Sequence, residues 1–371
     1  MRNLYLVRHG KVDFPDKVRC CIGWTDLPLS QEGRRQAEDL HLYFQDILKN
    51  NAMVFASPLK RAWETAQILA GELTAVCRED GLKELNMGEW ENVPMSQLKK
   101  TLESEPKAGE SRAWGACRIH RTVLRILEET RGDVICVAHA GINSCLLAEL
   151  TDTPLETSRA LPQPYGGVSR IQVNGHGTME VKELGVMPKP APSKEECQAI
   201  WDHYHTPANV RLHCEAVCRE AERIGENLLK AGRSVDLKVI GSGALLHDVV
   251  RTKDHHPQEG ASIMIREGYP RIAQIVRNHH DLKCPDEYPL SEQEFDKWLE
   301  EATVFLADKR TQQERTVSLE ERFAQSRKRC EQMPDREEAL AAHDRRFRHA
   351  RKIEAMIEDR LRVNGGNDEA D

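Results

Sequence analysis

A proline-rich segment divides the chain into two parts with different hydrophobic patterns. Three prolines lie within the nine residues VMPKPAPSK at 186–194, and proline can continue neither a helix nor a central strand. We therefore expect a linker at 186–194, between a first domain at 1–185 and a second that begins at 195. The full length of 371 residues also exceeds what one hydrophobic core usually organises.

Residues 1–185 alternate short apolar runs with amphipathic stretches. Three runs are apolar on both faces, as expected of buried strands: LYLV (4–7), MVFAS (53–57) and DVICVAH (133–139). Stretches with a helical period separate them at about 31–50, 59–73 and 112–131. Strands that alternate with helices predict an α/β domain of three layers, with a parallel sheet covered on both faces.

The pattern changes after the linker. From 195 to 310 helical periods dominate and strand signals vanish, which predicts an all-α domain. Residues 311–371 are strongly charged, with apolar residues at helical spacing: Leu319, Phe323, Phe347, Ile353, Met356, Ile357 and Leu361. We expect a charged helical tail whose apolar stripes pack on the preceding domain, and a homodimer interface is the alternative use of those stripes.

Composition argues against several broad classes. A formal net charge of −7 disfavours binding to a nucleic-acid backbone, and no apolar run of about 18 residues is present for a membrane span. The opening MRNLYLVRHG fits a short strand better than a signal segment. The 11 cysteines are odd in number and form no CxxC pair, which fits reduced thiols better than a disulfide framework. We therefore expect a cytoplasmic protein that binds neither nucleic acid nor membranes.

Cationic residues follow the predicted strands at the point where each strand ends. Arg8 and His9 follow LYLV, Arg61 lies shortly after MVFAS, and His139 ends the third run. Because ligands of an open parallel sheet bind at the carboxyl ends of its strands, we expect these side chains to meet in one crevice. Arginine and histidine repel each other there unless an anion lies between them, and phosphate suits both. Each histidine alone also fits a capped strand end, whereas the set of four favours an anion site.

Six short segments follow one another along residues 1–180: LVRHG (6–10), GWTDLPLSQEGRRQA (23–37), ASPLKRAWETA (56–66), LKELNMGEWEN (82–92), AGES (108–111) and VAHAG (137–141). Together they resemble the histidine phosphatase superfamily, which has the phosphoglycerate mutase-like fold. The resemblance implies that His9 is the nucleophile that becomes phosphohistidine, and that Arg8, Arg61 and His139 bind the phosphoryl oxygens. It also implies that Glu84 is the general acid, with an exposed loop carboxylate as the alternative. No cofactor is implied for this domain.

Two positions depart from the pattern of that family. Lys11 follows RHG where the family often has an acidic residue, and Asn92 stands where it has glycine. Neither position is expected to contact the phosphoryl group, so we expect activity to be retained and the choice of substrate to stay open. The stretch from Glu84 to His139 is short, as in compact phosphatases that include the α-ribazole phosphatases. A phosphatase for small phosphorylated metabolites is therefore favoured over a mutase.

Histidine and aspartate residues fall on apolar helix faces in the second region. His213 and His279 lie on such faces, His247 and Asp248 end the apolar run GALLHD, and Asp308 follows an apolar helical stretch. A buried carboxylate is unfavourable unless it is paired or binds a metal, so the two aspartates favour a metal site, although His213 alone fits a core histidine. Imidazole and oxygen ligands without a thiolate suit Fe, Mn, Co, Mg or Zn.

Five segments of this region carry those residues: HCEAV (213–217), LLHDVVR (245–251), HPQEGA (256–261), IVRNHH (275–280) and FLADKR (305–310). They resemble the HD superfamily of metal-dependent phosphohydrolases, including the variants with a second metal that are similar to bacterial symmetrical dinucleoside-tetraphosphate hydrolases. The resemblance implies one ion held by four residues, namely His213, His247, Asp248 and Asp308. It implies that His256 and His279 help to hold a second ion, with His280 as a supporting residue behind them.

Arg251 lies one helical turn after Asp248. It fits either a ligand for a substrate phosphate or an ordinary surface arginine. His203, His205 and His255 fit exposed positions without a role in the site.

The sequence therefore predicts two phosphohydrolase sites on one chain. The first hydrolyses phosphomonoesters through phosphohistidine, and the second hydrolyses a nucleotide-type phosphate ester with one or two divalent metal ions. The alternative is a single-activity enzyme, similar to α-ribazole phosphatases, whose HD-type domain senses or binds nucleotides. Metal content and phosphate release by the second domain distinguish the two hypotheses.

Overall fold

The computed structural model describes residues 1–98, 105–280, 282, 296 and 298–362. The chain divides into two compact units, Met1–Pro188 and Lys189–Asp371. Each unit has apolar clusters of its own, so each is described by itself.

A six-stranded sheet with the order β3-β2-β4-β1-β5-β6 forms the centre of the first unit. Its strands are β1 (Arg2–Arg8), β2 (Met53–Ala56), β3 (Val76–Arg78), β4 (Val134–Ala138), β5 (Val168–Val173) and β6 (Met179–Val186). The first four are parallel neighbours. β5 and β6 instead run antiparallel, because a short turn joins them, so the sheet is mostly rather than wholly parallel.

Helices cover both faces of this sheet. They are α1 (Gln31–Lys49), α2 (Lys60–Ala70), α3 (Arg112–Glu129) and α4 (Ala140–Leu150). Tyr5 and Val7 of β1 join the apolar cluster that contains α1 and α2 residues, whereas Leu4 and Leu6 join the cluster that contains α3 and α4 residues. The central strands are therefore buried on both sides, which explains their continuous apolar sequence.

The strand register brings three predicted site segments to one edge of the sheet. Arg8 of β1 pairs with Ala138 of β4, and Ala56 of β2 pairs with Val137 of β4. The residues that directly follow these strands, which include His9 and His139, must therefore lie side by side at the carboxyl edge.

The second unit is mainly helical. Its first helices are α5 (Lys194–His203), α6 (Ala208–Lys230), α7 (Leu237–Leu246), α8 (His256–Arg266), α9 (Pro270–Asn278) and α10 (Leu299–Lys309). A capping box at Ser193 and Glu196 begins α5, and the Asp236 side chain caps α7. One apolar cluster joins all six helices. Among the described residues, no helix combines the length and the apolar character needed to cross a membrane.

The charged region after residue 310 continues this core. It begins with a hairpin that the sequence did not predict, β7 (Thr311–Gln312) and β8 (Arg315–Thr316), and continues with α11 (Leu319–Cys330) and α12 (Arg336–Arg362). Leu319, Phe323, Ile353 and Ile357 are buried in the same apolar cluster as α5–α10. The end of the predicted tail, 363–371, lies outside the described residues.

Candidate active site and candidate metal centre

The loop after β1 brings the His9 backbone close to its neighbours. The His9 amide donates to the carbonyl oxygen of Ala138 at 3.0 Å, and the Gly10 amide donates to the Thr65 hydroxyl oxygen at 3.0 Å. A Cβ atom at Gly10 would lie 2.4 Å from the carbonyl oxygen of Gly33. Only glycine fits there, so the sequence Arg-His-Gly fixes the direction in which the His9 side chain leaves the sheet.

The His9 imidazole is held in the form that can act as a nucleophile. Its Nδ1 atom lies 2.7 Å from the carbonyl oxygen of Gly10, and because a carbonyl only accepts, we assign the ring hydrogen to Nδ1. Burial, followed by the charges of Arg61 and Arg8, lowers the pKa of His9 well below its usual range. The neutral ring therefore keeps its lone pair on Nε2.

Arg61 is anchored by a loop of the backbone. Its guanidinium donates to the carbonyl oxygens of Gly23 at 2.7 Å and Thr25 at 2.8 Å. The carboxylate of Glu91 accepts the amides of the same two residues, at 3.0 Å and 2.6 Å. Glu91 thus holds the loop that positions Arg61, a contribution that sequence reasoning missed although Glu91 lies within the segment LKELNMGEWEN.

Arg8 is positioned by a second loop. Its guanidinium carbon lies 3.8 Å from the ring centre of Tyr165, and Nη1 donates to the carbonyl oxygen of Gln163. Stacking on an aromatic ring orients the planar guanidinium without using all of its donors. Tyr165 is also 5.6 Å from the His9 ring, centre to centre, and no sequence motif pointed to it.

His139 lies fully buried beside His9, with 5.1 Å between the ring centres. Its Nε2 atom is 2.8 Å from the hydroxyl oxygen of Ser57. Burial and then the charge of Arg61 lower the pKa of His139 well below its usual range, so this ring is neutral as well.

Three buried nitrogen atoms of this site have no hydrogen-bond partner within the described part of the chain. They are Nε of Arg8, Nε of Arg61 and Nδ1 of His139. An unsatisfied buried polar group costs about 1–3 kcal/mol, so three of them around one histidine require an explanation. The oxygens of a phosphate group would accept from both arginines and neutralise their charge.

Glu84 lies at the N-terminus of α4 and binds backbone amides. Its carboxylate accepts from Leu85 at 2.9 Å, Gly141 at 3.0 Å and Ile142 at 2.8 Å. A Cβ atom at Gly141 would lie 2.6 Å from Oε1 of Glu84, so glycine is needed where the helix meets the carboxylate. Glu84 is 6% exposed and is therefore not the exposed loop carboxylate that the sequence left as the alternative.

A cavity of about 120 Å³ joins these side chains. Its wall contains four of the five predicted residues, namely Arg8, His9, Arg61 and Glu84, together with Phe14, Arg19, Cys20, Cys21, Ile22, Met95 and Tyr165. His139, the fifth, is not part of this wall but packs against the His9 ring. The arrangement can bind a small anion in contact with a neutral imidazole and a carboxyl group.

The second unit brings the predicted histidines and aspartates together in two adjoining groups. One group contains His213, His247 and Asp308, and the other contains Asp248, His256, His279 and His280. Within each group, one ligand atom per residue lies within 4.8 Å of the others. His280, which the sequence placed behind the ligands, is therefore a member of the second group.

Asp248 links the two groups. Its Oδ2 atom is 3.5 Å from Nε2 of His247, and its Oδ1 atom is 3.1 Å from Nε2 of His256 and 3.3 Å from Nε2 of His279. In the first group, Oδ1 of Asp308 is 3.2 Å from Nε2 of His213. The family resemblance implied that Asp248 shares one ion with His213, His247 and Asp308. In the structure the Asp248 carboxylate lies near histidines of both groups.

The donor atoms in the centre fit a divalent cation. His247 and His279 each direct Nδ1 to a backbone carbonyl oxygen one turn earlier, at 2.7 Å and 2.6 Å, which leaves Nε2 with its lone pair toward the carboxylates. These two Nε2 atoms and Oδ1 of Asp248 are buried without a hydrogen-bond partner in the described chain. Imidazole lone pairs beside carboxylate oxygens are ligands for the metals that the sequence predicted.

Electrostatics keep His247 and Asp248 in the forms that bind a metal. Burial lowers the pKa of His247 to about 4, so its ring is neutral at physiological pH. Burial alone would raise the pKa of Asp248, but the neighbouring His247, His256 and His279 lower that pKa well below its usual range. Neutral imidazoles and ionised carboxylates are the protonation states that metal binding requires.

Arg251 lies beside the second group. It donates to Nε2 of His256 at 2.8 Å and Nε2 of His280 at 3.0 Å, and lies 3.6 Å from the Asp248 carboxylate. Arg251 therefore belongs to the wall of this site. His203, His205 and His255 are exposed.

Comparisons with known proteins assign a family model to each of the two units. Residues 4–185 match the model of the histidine phosphatase superfamily (branch 1), and residues 210–345 match the model of the HD domain. HD domains are typically metal-dependent, which accords with the His/Asp groups of the second unit.

Several known proteins are similar to the chain. The acid phosphatase of Mycobacterium tuberculosis (strain ATCC 25618 / H37Rv) is 30% identical over 205 residues, which cover 51% of this chain and 95% of that protein. The uncharacterized phosphatase PhoE of Bacillus subtilis (strain 168) is 28% identical over 43% of this chain and 83% of its own length. The solved structure of Bacillus stearothermophilus YhfR, 28% identical, covers 50% of this chain and 97% of its own, with a TM-score of 0.45.

A relative with 30% identity along nearly its whole length, together with the matching family model, identifies the family and the class of enzyme. The chain is a phosphatase that belongs to the histidine phosphatase superfamily, with an HD domain after its histidine phosphatase domain.

Proposed function

We propose that the protein is a bifunctional phosphohydrolase. The first unit hydrolyses phosphomonoesters of small metabolites through a phosphohistidine at His9, and the second hydrolyses a nucleotide-type phosphate ester with a divalent metal. The observation that carries the first activity is the set of nitrogens of Arg8, Arg61 and His139 that have no partner among the described residues, around the neutral His9. The second activity is carried by the two donor groups that meet at Asp248.

Hydrolysis at the first site proceeds in two steps. Nε2 of His9 attacks phosphorus, and the N–P bond forms as the ester P–O bond breaks. The leaving oxygen takes a proton from the Glu84 carboxyl group. Water then attacks phosphorus and gives its proton to Glu84 as the N–P bond breaks, which returns neutral His9 and releases inorganic phosphate.

The cationic side chains stabilise both steps. Arg8 and Arg61 donate to the equatorial oxygens, where charge develops in the transition state. Their anchors, Tyr165 and the loop held by Glu91, keep these donors in place before the substrate arrives, so little reorganisation is needed. The cavity of about 120 Å³ suits a phosphoryl group. The name of one relative, adenosylcobalamin/alpha-ribazole phosphatase of Escherichia coli (strain K12), supports a phosphorylated metabolite as substrate.

In the second unit, seven side chains would hold one or two divalent ions: His213, His247, Asp248, His256, His279, His280 and Asp308. When bound, such an ion supplies an activated water and neutralises charge on the phosphate oxygens. Burial keeps the His247 imidazole neutral, and the neighbouring histidines and Lys309 keep the Asp248 and Asp308 carboxylates ionised. Arg251 on the wall donates to the substrate phosphate.

Phosphate release by the full-length chain tests the proposal. A panel of phosphomonoesters and nucleotides is offered to wild type, His9→Ala and Asp248→Ala, each with and without chelator. We expect His9→Ala to lose only the chelator-resistant release and Asp248→Ala only the chelator-sensitive release. If no chelator-sensitive release exists while nucleotides still bind the second unit, the HD domain is the sensing module of the alternative hypothesis.

A further inference from the structure

A large cavity opens beside the candidate metal centre. Its volume is about 1140 Å³, far more than one phosphate group occupies. Asp248, His280 and Asp308 lie on one side of its wall, and the hairpin and helix α11 supply the other side, including Gln313 and Arg322. Part of the region predicted from the sequence as a charged helical tail therefore forms this wall.

The wall supplied by α11 is cationic. Arg322, Lys328 and Arg329 line the cavity, and none of them forms an ion pair with a described residue. The Nε atom of Arg322 is buried without a hydrogen-bond partner in the described chain. Apart from Asp248 and Asp308 of the metal centre, Glu314 is the one carboxylate among the described residues of the cavity wall. Positive charge therefore exceeds negative charge on this side of the cavity.

Another arginine of the same helix shows what an ordinary surface position looks like. Arg327 lies 2.7 Å from Asp344 and 3.6 Å from Glu331, so its charge is compensated, and it is not part of the cavity wall. Arg322 and Arg329 are seven residues apart, which places them on one face of α11 about 10 Å apart. Arg322 and Arg329, which have no ion-pair partner among the described residues, thus line the cavity, whereas the paired Arg327 does not.

The cations near the metal centre lie next to its carboxylates. Arg251 lies 3.6 Å from Asp248, and Lys309 lies 2.7 Å from Asp308. The charges of α11 are separate from this set, and the described part of the chain offers them no carboxylate to pair with, although they line the same cavity. An anion of the ligand is the partner that this arrangement lacks.

We propose that the cavity face of α11 is a second anion subsite, in which Arg322, Lys328 and Arg329 bind a phosphate group of the substrate that is distant from the one at the metal centre. The inference rests on the proposed function of the second site and narrows its substrate to compounds with at least two phosphate groups. Monophosphates reach only one of the two subsites.

Calorimetric binding to the full-length His9→Ala protein tests the subsite without requiring turnover. The ligands are AMP, ADP, inorganic tripolyphosphate and inorganic phosphate. The test variant carries both Lys328→Gln and Arg329→Gln, and the control variant carries Arg327→Gln. Because both substituted side chains are exposed, the double substitution leaves the core intact. Any binding at the first unit is common to all variants and cancels in the comparison.

We expect ADP and tripolyphosphate to bind at least roughly tenfold more tightly than AMP and inorganic phosphate, since charge-assisted contacts to a second phosphate are added. The double variant should lose most of that preference, and Arg327→Gln should keep it within about twofold. Equal affinities for AMP and ADP, or an equal loss in Arg327→Gln, would overturn the subsite. Binding that follows the expected order in a protein without chelator-sensitive hydrolysis would uphold the subsite and reject only the second activity.

Discussion

At the scale of single residues, the first site depends on a neutral His9. Two arginines and a second histidine surround the ring, and burial with these charges keeps the proton off Nε2. The same positive charges that disfavour an imidazolium ion attract the phosphate dianion. One arrangement therefore prepares the nucleophile and binds the group that it attacks.

Replacement of His9 by alanine should abolish the chelator-resistant phosphatase activity. We expect a fall of at least ~10³-fold, because the other side chains can bind phosphate but cannot form the N–P bond. The measurement is hydrolysis of p-nitrophenyl phosphate in excess chelator, together with acid-labile labelling of the protein by substrate phosphate. His120→Ala, which alters a histidine paired with Glu149 on α3 and α4, is the control and should retain both signals.

Glu84→Gln should slow esters with poor leaving groups more than activated aryl phosphates. Only the former need a proton on the leaving oxygen, whereas an aryl oxide leaves without one. Glu91→Gln is the matched control, since Glu91 also accepts two backbone amides but acts on the loop that holds Arg61. That control should slow both classes of ester alike. The same ratio of rates in both variants would show that Glu84 only positions its neighbours.

Sequence reasoning reached some of these residues and not others for a physical reason. Arg8 ends a buried strand, and His9 and His139 directly follow such strands, so the topology of a parallel sheet places the three together. Glu84 lies in irregular backbone between two short 3-10 turns, where no periodicity indicates position, and only the family resemblance pointed to it. Tyr165 acts by stacking on Arg8 from a distant loop, a contact without any local signature.

At the scale of secondary structure, buried elements were predictable and amphipathic edges were not. β1 and β4 read as continuous apolar runs because helices cover both of their faces. β6 alternates half-buried and exposed residues at the edge of the sheet, and β3 is only three residues long, so neither stood out from the loops. The hairpin β7–β8 is shorter still and fixes the cavity wall rather than the core.

Helix α10 carries a carboxyl group that should make stability depend on pH. Burial raises the pKa of Glu301 to about 7, and Nδ2 of Asn278 donates to it at 2.8 Å. In the unfolded chain the group ionises near its ordinary pKa of about 4.3, so unfolding releases a proton between these values. Its contribution to stability is therefore full below pH ~4 and falls as pH rises toward about 7.

Glu301→Gln should remove this dependence. The amide keeps the neighbouring hydrogen bonds and is uncharged at every pH, so we expect the variant to be more stable than wild type by about 1–3 kcal/mol at pH 8. Urea unfolding at pH 4, 6 and 8 gives the difference between the two proteins. At pH 4 that difference should be small, since the folded form of wild type is then protonated and the unfolded form is mostly so. A constant difference across the range would assign the effect to packing instead.

At the scale of the whole molecule, we expect a bound metal ion to stabilise the second unit but not the first. The first unit has a covered sheet, and its site joins neutral imidazoles to arginines, a donor set that suits an anion rather than a metal ion. The second unit places Asp248 and Asp308 among histidines from four helical segments, and three ligand atoms have no hydrogen-bond partner among the described residues. An ion bound there would bind the folded state only, since these ligands are far apart in the unfolded chain.

Chelation should therefore lower the melting transition of Lys189–Asp371 and leave that of Met1–Pro188 unchanged. A ligand that binds only the folded state stabilises it by about 2.7 kcal/mol at a hundredfold excess over its Kd, which shifts a unit of this size by several degrees. Asp248→Ala should melt like the chelated protein and respond to chelator no further. Asp202→Ala is the matched control, because Asp202 is an exposed partner of Arg211 in the same unit, and it should keep the full response.

Differential scanning calorimetry of the full chain, with Mn, Fe, Co, Mg or Zn restored after chelation, measures both transitions at once. If no metal shifts either transition, the histidines of the second unit are core residues and its site takes its ligand without an ion.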